Sequence, residues 1–264
     1  MKLTVLVDNH TYIDRYYLGE PAVCYLIEDG EHVILLDTGY SDVFIENAAR
    51  MGIDLARVTD IVLSHGHNDH TGGLPAFFTR FPQRVRLFAH PNALLPKRVD
   101  VLNVGCPLSL EALREHADVR LVTKPHAVSE HVTILGEIPR VYAFEADRAV
   151  GETLGACGCC WEEDGLADDT SLALTLQDGV FVVTGCAHAA SATPSPTQDR
   201  FRSDRAYSAC SAGFTCLRRI RRWARRFAPC ANLAQSGCIP RIAQASRSRA
   251  RCFPRWKRTK SASG

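Results

Sequence analysis

The apolar run Ile61-Val62-Leu63 passes directly into Ser64-His65-Gly66-His67-Asn68-Asp69-His70, so three histidines and an aspartate fall within six positions at the exit of a buried strand. A strand held in a core is rigid, and a chain leaving it can turn several side chains toward one point. Imidazole nitrogens and a carboxylate oxygen suit zinc, with iron and manganese as other occupants. The spacing predicts a metal site, against the plainer reading of a polar, histidine-rich loop. His65 and His67 stand two apart and face the same side in extended chain, while Asp69 and His70 follow in the turn and reach a neighbouring position. Two ions fit that layout. Such a pair shares a hydroxide whose pKa falls to roughly 7, and Asp69 would ligate the second ion and orient that nucleophile.

Around this motif the chain alternates strands and helices. Residues 2–8 and 22–28 read as strands, the second joined through Glu28-Asp29-Gly30-Glu31 to a hairpin partner at 32–37. A helix is expected over 42–51, with Val43, Phe44, Ala48 and Met51 on its apolar face, then a strand over 57–64. Thr71-Gly72-Gly73-Leu74-Pro75 opens a helix to about Arg80, and 84–89 gives one more strand. A helix near 109–117 and strands near 119–123, 131–135 and 139–145 follow, then strands at 171–176 and 180–183 around Gln177-Asp178-Gly179. This order points to α/β or α+β sheet layers covered by helices.

The last of these strands delivers Thr184-Gly185-Cys186-Ala187-His188. Cys186 and His188 repeat the logic of the first motif, two ligand types two apart on a strand exit, and are expected to complete the site; a buried thiol beside a loop histidine is the alternative. Asp37, ending its own strand, reads either as the acceptor that sets a ligand histidine's tautomer or as a turn cap. Cys157-Gly158-Cys159-Cys160 could hold a soft metal, although it lacks a second cysteine pair at the usual distance.

Composition divides the chain. Residues 191–264 carry fifteen arginines and two lysines against Asp199 and Asp204, a net of +15, which leaves −13 on residues 1–190 out of a total of +2; all ten histidines precede residue 191. No apolar run is long enough to span a bilayer, and the first residues lack a signal-peptide layout, so a cytoplasmic protein without membrane association is expected, its eleven cysteines being reduced thiols.

His65-Gly66-His67-Asn68-Asp69-His70-Thr71-Gly72-Gly73-Leu74 resembles the HxHxDH loop of the metallo-β-lactamase superfamily. Val7-Asp8-Asn9, Leu36-Asp37-Thr38-Gly39, Gly136-Glu137-Ile138-Pro139-Arg140, Asp168-Asp169 and Thr184-Gly185-Cys186-Ala187-His188-Ala189 are similar to its branch named for 7,8-dihydropterin-6-yl-methyl-4-(β-D-ribofuranosyl)aminobenzene 5'-phosphate synthase. The resemblance covers residues 1 to about 189. It implies an αββα sandwich, incomplete at the C-terminus, and a zinc-dependent hydrolase that attacks a small-molecule substrate with metal-bound hydroxide. It assigns His65 and His67 to the first ion and Asp69 and His70 to the second. Cys186 stands where many relatives carry a bridging aspartate, with His188 beside it, and which of the two ligates stays open. Neither the substrate nor the oligomeric state follows from any motif.

That branch continues after TGCxHAG with segments like ICNT, GGFHL and HCTG, and residues 190–264 contain none of them. The reading frame one nucleotide upstream permits GICNT across Ala189 to Pro194, GVLGGFHLL across Ser208 to Leu217 and HPAHCTG across Cys238 to Ala245. Three family strings in order and in one frame point to a single-base deletion near codon 189, leaving an out-of-frame, poorly ordered tail and an impaired hydrolase. The rival is a genuine basic extension: Arg218 to Arg226, with Trp223 among the arginines, could lie along nucleic-acid phosphates or form a short amphipathic helix on an anionic membrane. The chain would then be a metal-binding remnant or a nucleic-acid-interacting protein without hydrolase activity. Resequencing codons 180–264 is expected to recover the three strings in the upstream frame; stop codons interrupting that frame would make the basic tail a real feature.

Overall fold

A computed structural model of the 264-residue chain describes residues 1–140, 149–155, 157–177 and 179–188, and the backbone of 206–211. Its strands are β1 (Lys2–Val7), β2 (Cys24–Asp29), β3 (His32–Leu36), β4 (Asp60–Val62), β5 (Val85–Ala89), β6 (Lys97–Val99), β7 (Leu102–Asn103), β8 (Ala117–Leu121), β9 (His126–Ala127), β10 (Val132–Ile134), β11 (Glu152–Leu154), β12 (Trp161–Glu163), β13 (Ser171–Leu176), β14 (Gly179–Thr184) and β15 (Ala206–Ser211). Its α-helices are α1 (Val43–Arg50), α2 (Asn68–Thr71), α3 (Leu74–Arg80) and α4 (Leu110–His116).

Six strands form the first sheet in the order β1-β2-β3-β4-β5-β8, antiparallel from β1 to β3 and parallel from β3 onward. The second sheet runs β15-β14-β13-β10-β9, and a small antiparallel sheet runs β12-β11-β6-β7. The layering follows from the period-two alternation of strands buried on both faces. In β2, Cys24 and Leu26 face one way and Tyr25 and Ile27 the other; in β3, Val33 and Leu35 oppose Ile34 and Leu36. The first set packs under Phe44 and Ala48 of α1, Leu74, Phe77 and Phe78 of α3 and Leu113 of α4. The second set meets Val132, Ile134, Leu172, Leu174 and Val183 of the second sheet. Helices α1, α3 and α4 thus cover the outer face of the first sheet, giving layers of helices, sheet and sheet, with Ala173, Val180 and Val182 in a further cluster on the second sheet.

The parallel stretch positions the site. Because β3, β4 and β5 run the same way, their carboxyl ends share one edge of the sheet, and the segments leaving them emerge side by side. Asp37 follows β3, the histidine motif follows β4 and His90 follows β5.

Several expectations shift in detail. The strand expected at 57–64 is reduced to β4, because Leu55–Arg57 is a 3-10 turn capped by the Asp54 carboxylate, which accepts from Ala56 N. The strand placed at 119–123 starts earlier, at Ala117, where α4 ends. Pro139 and Arg140 belong to no strand, and the rest of the strand expected at 139–145 lies outside the described residues. Within the segment assigned to the tail, β15 pairs in parallel with β14, from Gly179 opposite Ala206 to Thr184 opposite Ser211; residues 189–205 and 212–264 lie outside the described residues.

Phe88 is fully buried between the two sheets, and its ring stands 5.3 Å from that of His126. Phe88→Ala is expected to cost about 3–5 kcal/mol, read as a lower urea midpoint at unchanged slope.

Candidate metal centre

The motif's local structure explains why it leaves β4 as it does. After a bend over Ser64 to Gly66 and an extended His67, the chain makes the single turn α2, so Asp69 and His70 sit on a helical step. Gly66 is required by close approach, since a Cβ there would collide with the carbonyl of Ala93; a Cβ on Gly185 would strike the Ser64 side chain.

Asp37 holds this segment to the end of β3. It is fully buried, lies at φ 60°, and accepts three hydrogen bonds: from Ser64 N at 2.7 Å, from Ser64 Oγ at 2.7 Å and from His70 Nδ1 at 2.6 Å. The tautomers follow in turn. Ser64 spends its one hydroxyl proton on Asp37, so its oxygen receives the His65 Nδ1 proton across 3.1 Å, and His65 Nε2 keeps its lone pair. His70 Nδ1 is likewise committed, which turns Nε2 toward Cys186 Sγ at 3.0 Å and Asp69 Oδ2 at 3.3 Å. Of the two roles the sequence leaves to Asp37, the geometry matches the acceptor that orients a histidine.

Two triads of donor atoms result, each within 4.8 Å: His65, His70 and Cys186, and His65, His67 and His188. His65 stands in both, with its ring centroid 4.2 Å from His70, 4.8 Å from His67 and 5.1 Å from His188. Both Cys186 and His188 therefore reach the motif. His65 is shared between the two triads, and Asp69, whose side chain is 22% exposed, approaches His70 Nε2 at 3.3 Å.

Burial pushes the His65 imidazole well below its usual range, helped by His70, His67 and His188 around it. The same burial, with His67 and His70, takes His188 down to about 4. Both rings are therefore neutral at pH 7, the form that offers a lone pair. Burial would also lower His70, but the charge and hydrogen bond of Asp37 override it and hold His70 well above the usual value. The Asp69 carboxyl resists burial in the same way, kept below its usual range by His70 and His67.

A metal suits these residues on two counts. His188 Nε2 is buried without a hydrogen-bond partner, a costly state for a polar atom that a cation would relieve. The 3.2 Å between His65 Nε2 and His67 Nδ1 is close to the edge of about 3.3 Å that two nitrogens span on a tetrahedral zinc.

A second charged cluster, centred on Lys97, braces the motif from the far side. Lys97, 1% exposed, donates from Nζ to Asp164 Oδ2 at 2.6 Å and to Asp168 Oδ1 at 3.3 Å. Asp168 in turn accepts from Gly66 N at 2.8 Å, and Asp164 Oδ2 stands 3.7 Å from His67 Nε2. Burial works against the Asp164 charge, but contact with His67 and Lys97 holds its carboxyl at about 2. Only the Asp168-Asp169 pair carries a signal in the sequence; a lone lysine after Pro96 has no pattern that announces burial. Removing one partner of a buried charge cluster strands the others, so Lys97→Met is expected to cost about 3–5 kcal/mol in chemical unfolding.

Comparison with known proteins agrees with this architecture. Residues 18–144 match the family model described as the metallo-beta-lactamase superfamily. The chain is 25% identical over 187 residues to the uncharacterized protein MJ0448 of Methanocaldococcus jannaschii, covering 70% of this chain and 69% of that protein. It is 25% identical over 201 residues to the same organism's 7,8-dihydropterin-6-methyl-4-(beta-D-ribofuranosyl)-aminobenzene-5'-phosphate synthase, covering 71% and 68%. Among solved structures it is similar to Tm1679, a metal-dependent hydrolase of the beta-lactamase superfamily, with a TM-score of 0.58 and 26% identity over 71% of this chain and 66% of that one. With its histidine motif at the exit of a parallel strand within these packed sheets, the chain is similar to the metallo-beta-lactamase superfamily over residues 18–144.

Proposed function

We propose that the chain is a metal-dependent hydrolase with a two-ion centre, zinc being the preferred occupant and iron or manganese the alternatives. The observation that carries the reading is the convergence of His65, His67, His70, Cys186 and His188 from two strand exits, with tautomers already set by Ser64 and Asp37. His65, His67 and His188 would hold one ion; His70, Cys186 and Asp69 would hold the other, with His65 beside both. A relative of Bacillus subtilis, 29% identical over 49% of this chain and 60% of its own length, is named a probable metallo-hydrolase, which supports the same class.

When bound, the ions supply Lewis acidity for a carbonyl or phosphoryl oxygen and lower the pKa of water to about 7. The protein's own groups do the rest. Asp37 retains the His70 Nδ1 proton and so keeps Nε2 directed into the site. Asp69, ionised at neutral pH, orients the attacking water and accepts its proton at a carboxylate oxygen. His65 and His70 are both fully buried, so negative charge developing beside them is poorly screened by bulk solvent. The substrate proposed is a small-molecule ester or phosphodiester.

The test is zinc titration of the chelator-treated full chain, with carboxylic and phosphate esters as probes. Hydrolysis is expected to vanish with chelator and return with zinc. His65→Ala, which removes a donor from both triads, is expected to lose zinc, and Asp37→Asn to weaken zinc binding about 10–100-fold. Unchanged zinc content in His65→Ala would overturn the metal centre. Full zinc loading without turnover of any probe would leave a metal-binding protein that is not a hydrolase.

A further inference from the structure

A second concentration of metal-ligating side chains lies away from the histidine centre, at the tip of the β11–β12 hairpin. The strands are in register from Glu152 opposite Glu163 to Leu154 opposite Trp161, and Gly155 N closes the loop by donating to Cys160 O at 2.8 Å. Inside it, Gly158 N donates to Gly155 O at 2.9 Å, and Gly158 adopts φ 69°, the left-handed conformation that bends the chain back on itself. That bend folds Cys159 and Cys160 over Cys157.

All three thiols are exposed. Cys159 Sγ lies 3.2 Å from Cys157 Sγ and 3.7 Å from Cys160 Sγ, and the three sulfurs fall within 4.8 Å of one another. Three thiolates on a tetrahedral ion at about 2.3 Å would stand about 3.8 Å apart, inside the range observed. Cys157 Sγ also accepts backbone N–H groups from Cys159 at 3.4 Å and Cys160 at 3.1 Å. Donors aimed at one sulfur favour its ionised form, the form that ligates, and they take its pKa down to about 7. Nothing in the histidine chemistry uses these residues.

We propose that Cys157, Cys159 and Cys160 form a trithiolate site for a thiophilic d10 cation, zinc(II) or cuprous copper, with a fourth position open to solvent. Sulfur ligands without carboxylate or imidazole select soft ions over magnesium, calcium or manganese. The base of the hairpin is stiff enough to preserve the arrangement: the Arg98 guanidinium stacks over Trp161 at 4.1 Å and donates to Glu152 at 2.7 Å. Through the pairing of β11 with β6, the tip belongs to the same small sheet as Lys97, and the segment after β12 continues directly into Asp164. An ion at the tip would thus order the strand that leads into the Lys97 cluster. The proposal stands independently of the hydrolase reading.

The experiment compares the reduced, metal-free full chain with its Cys157→Ser/Cys159→Ser/Cys160→Ser variant under anaerobic conditions. Cadmium titration reads thiolate ligation through the ultraviolet sulfur-to-metal band, and zinc and cuprous ion are titrated separately to identify the preferred occupant. The triple variant is expected to lose one equivalent of bound metal and the absorbance of three thiolates. Cys159→Ser alone is expected to weaken that equivalent at least about tenfold, which keeps the test decisive if the triple variant folds poorly. His65→Ala, in contrast, should keep the cysteine band. Equal metal content and equal absorbance in the chain and the triple variant would overturn the proposal.

Discussion

A carboxylate with no access to water carries a large desolvation penalty unless hydrogen bonds surround it, and Asp37 is such a group. Its three donors come from Ser64 and His70, so the ends of β3 and β4 and the turn α2 are tied through one side chain. The backbone bends to allow it, because φ 60° at Asp37 lies in the left-handed region that aspartate tolerates better than most residues. Thr38 adds two contacts to the carbonyl of His70, from its N at 2.8 Å and its Oγ1 at 3.1 Å. The histidines are thereby oriented before any ligand arrives, and their protonation is dictated by the same bonds that fold the segment. A rigid donor set of this kind lowers the entropic cost of binding a cation and disfavours geometries that would suit other ions.

The Lys97 cluster complements Asp37 from the opposite side. Asp37 fixes His70 and, through Ser64, His65; Asp168 fixes the backbone at Gly66, and Asp164 faces His67. His65 and His70 are thus governed by Asp37, and His67 faces Asp164, which shares the Lys97 ammonium with Asp168. Buried ion clusters seldom stabilise a fold beyond what apolar packing would achieve. Their value here lies in orientation, since a hydrogen-bonded carboxylate restricts a ring or a peptide in direction as well as in distance. Thr170 N, donating to Ser64 O at 2.8 Å, brings the start of β13 into the same arrangement and links the second sheet to the motif.

Much of the first sheet was legible because its signals are local. Residues 24–27 and 33–36 are continuously apolar, as strands buried on both faces must be, and Leu74-Pro75 opens α3 where expected. The small third sheet was not legible. β6, β7, β11 and β12 are two or three residues long, largely exposed beyond Lys97, and show no alternation over which a period could emerge. The turn α2 was hidden for a different reason: Asn68 to Thr71 has poor helix formers, and it is the bond from Thr38 N to His70 O and the packing above it that wind the segment.

Spacing along the chain is enough to place His65, His67, Asp69 and His70 together on one strand exit, and Cys186 and His188 on another, because the direction of a side chain relative to its own strand is set by local geometry. Which donors meet is a different matter. His70 and Cys186 are 116 positions apart, and their contact depends on two sheets packing through Tyr25, Phe88, Leu172 and Val183 so that both strand exits face the same edge. The sharing of His65 between two triads, the service of Lys97 as counter-ion to two acids and the meeting of three thiols over Gly158 arise in the same way. Each requires a distance between groups that no run of neighbouring residues encodes, and packing alone supplies it.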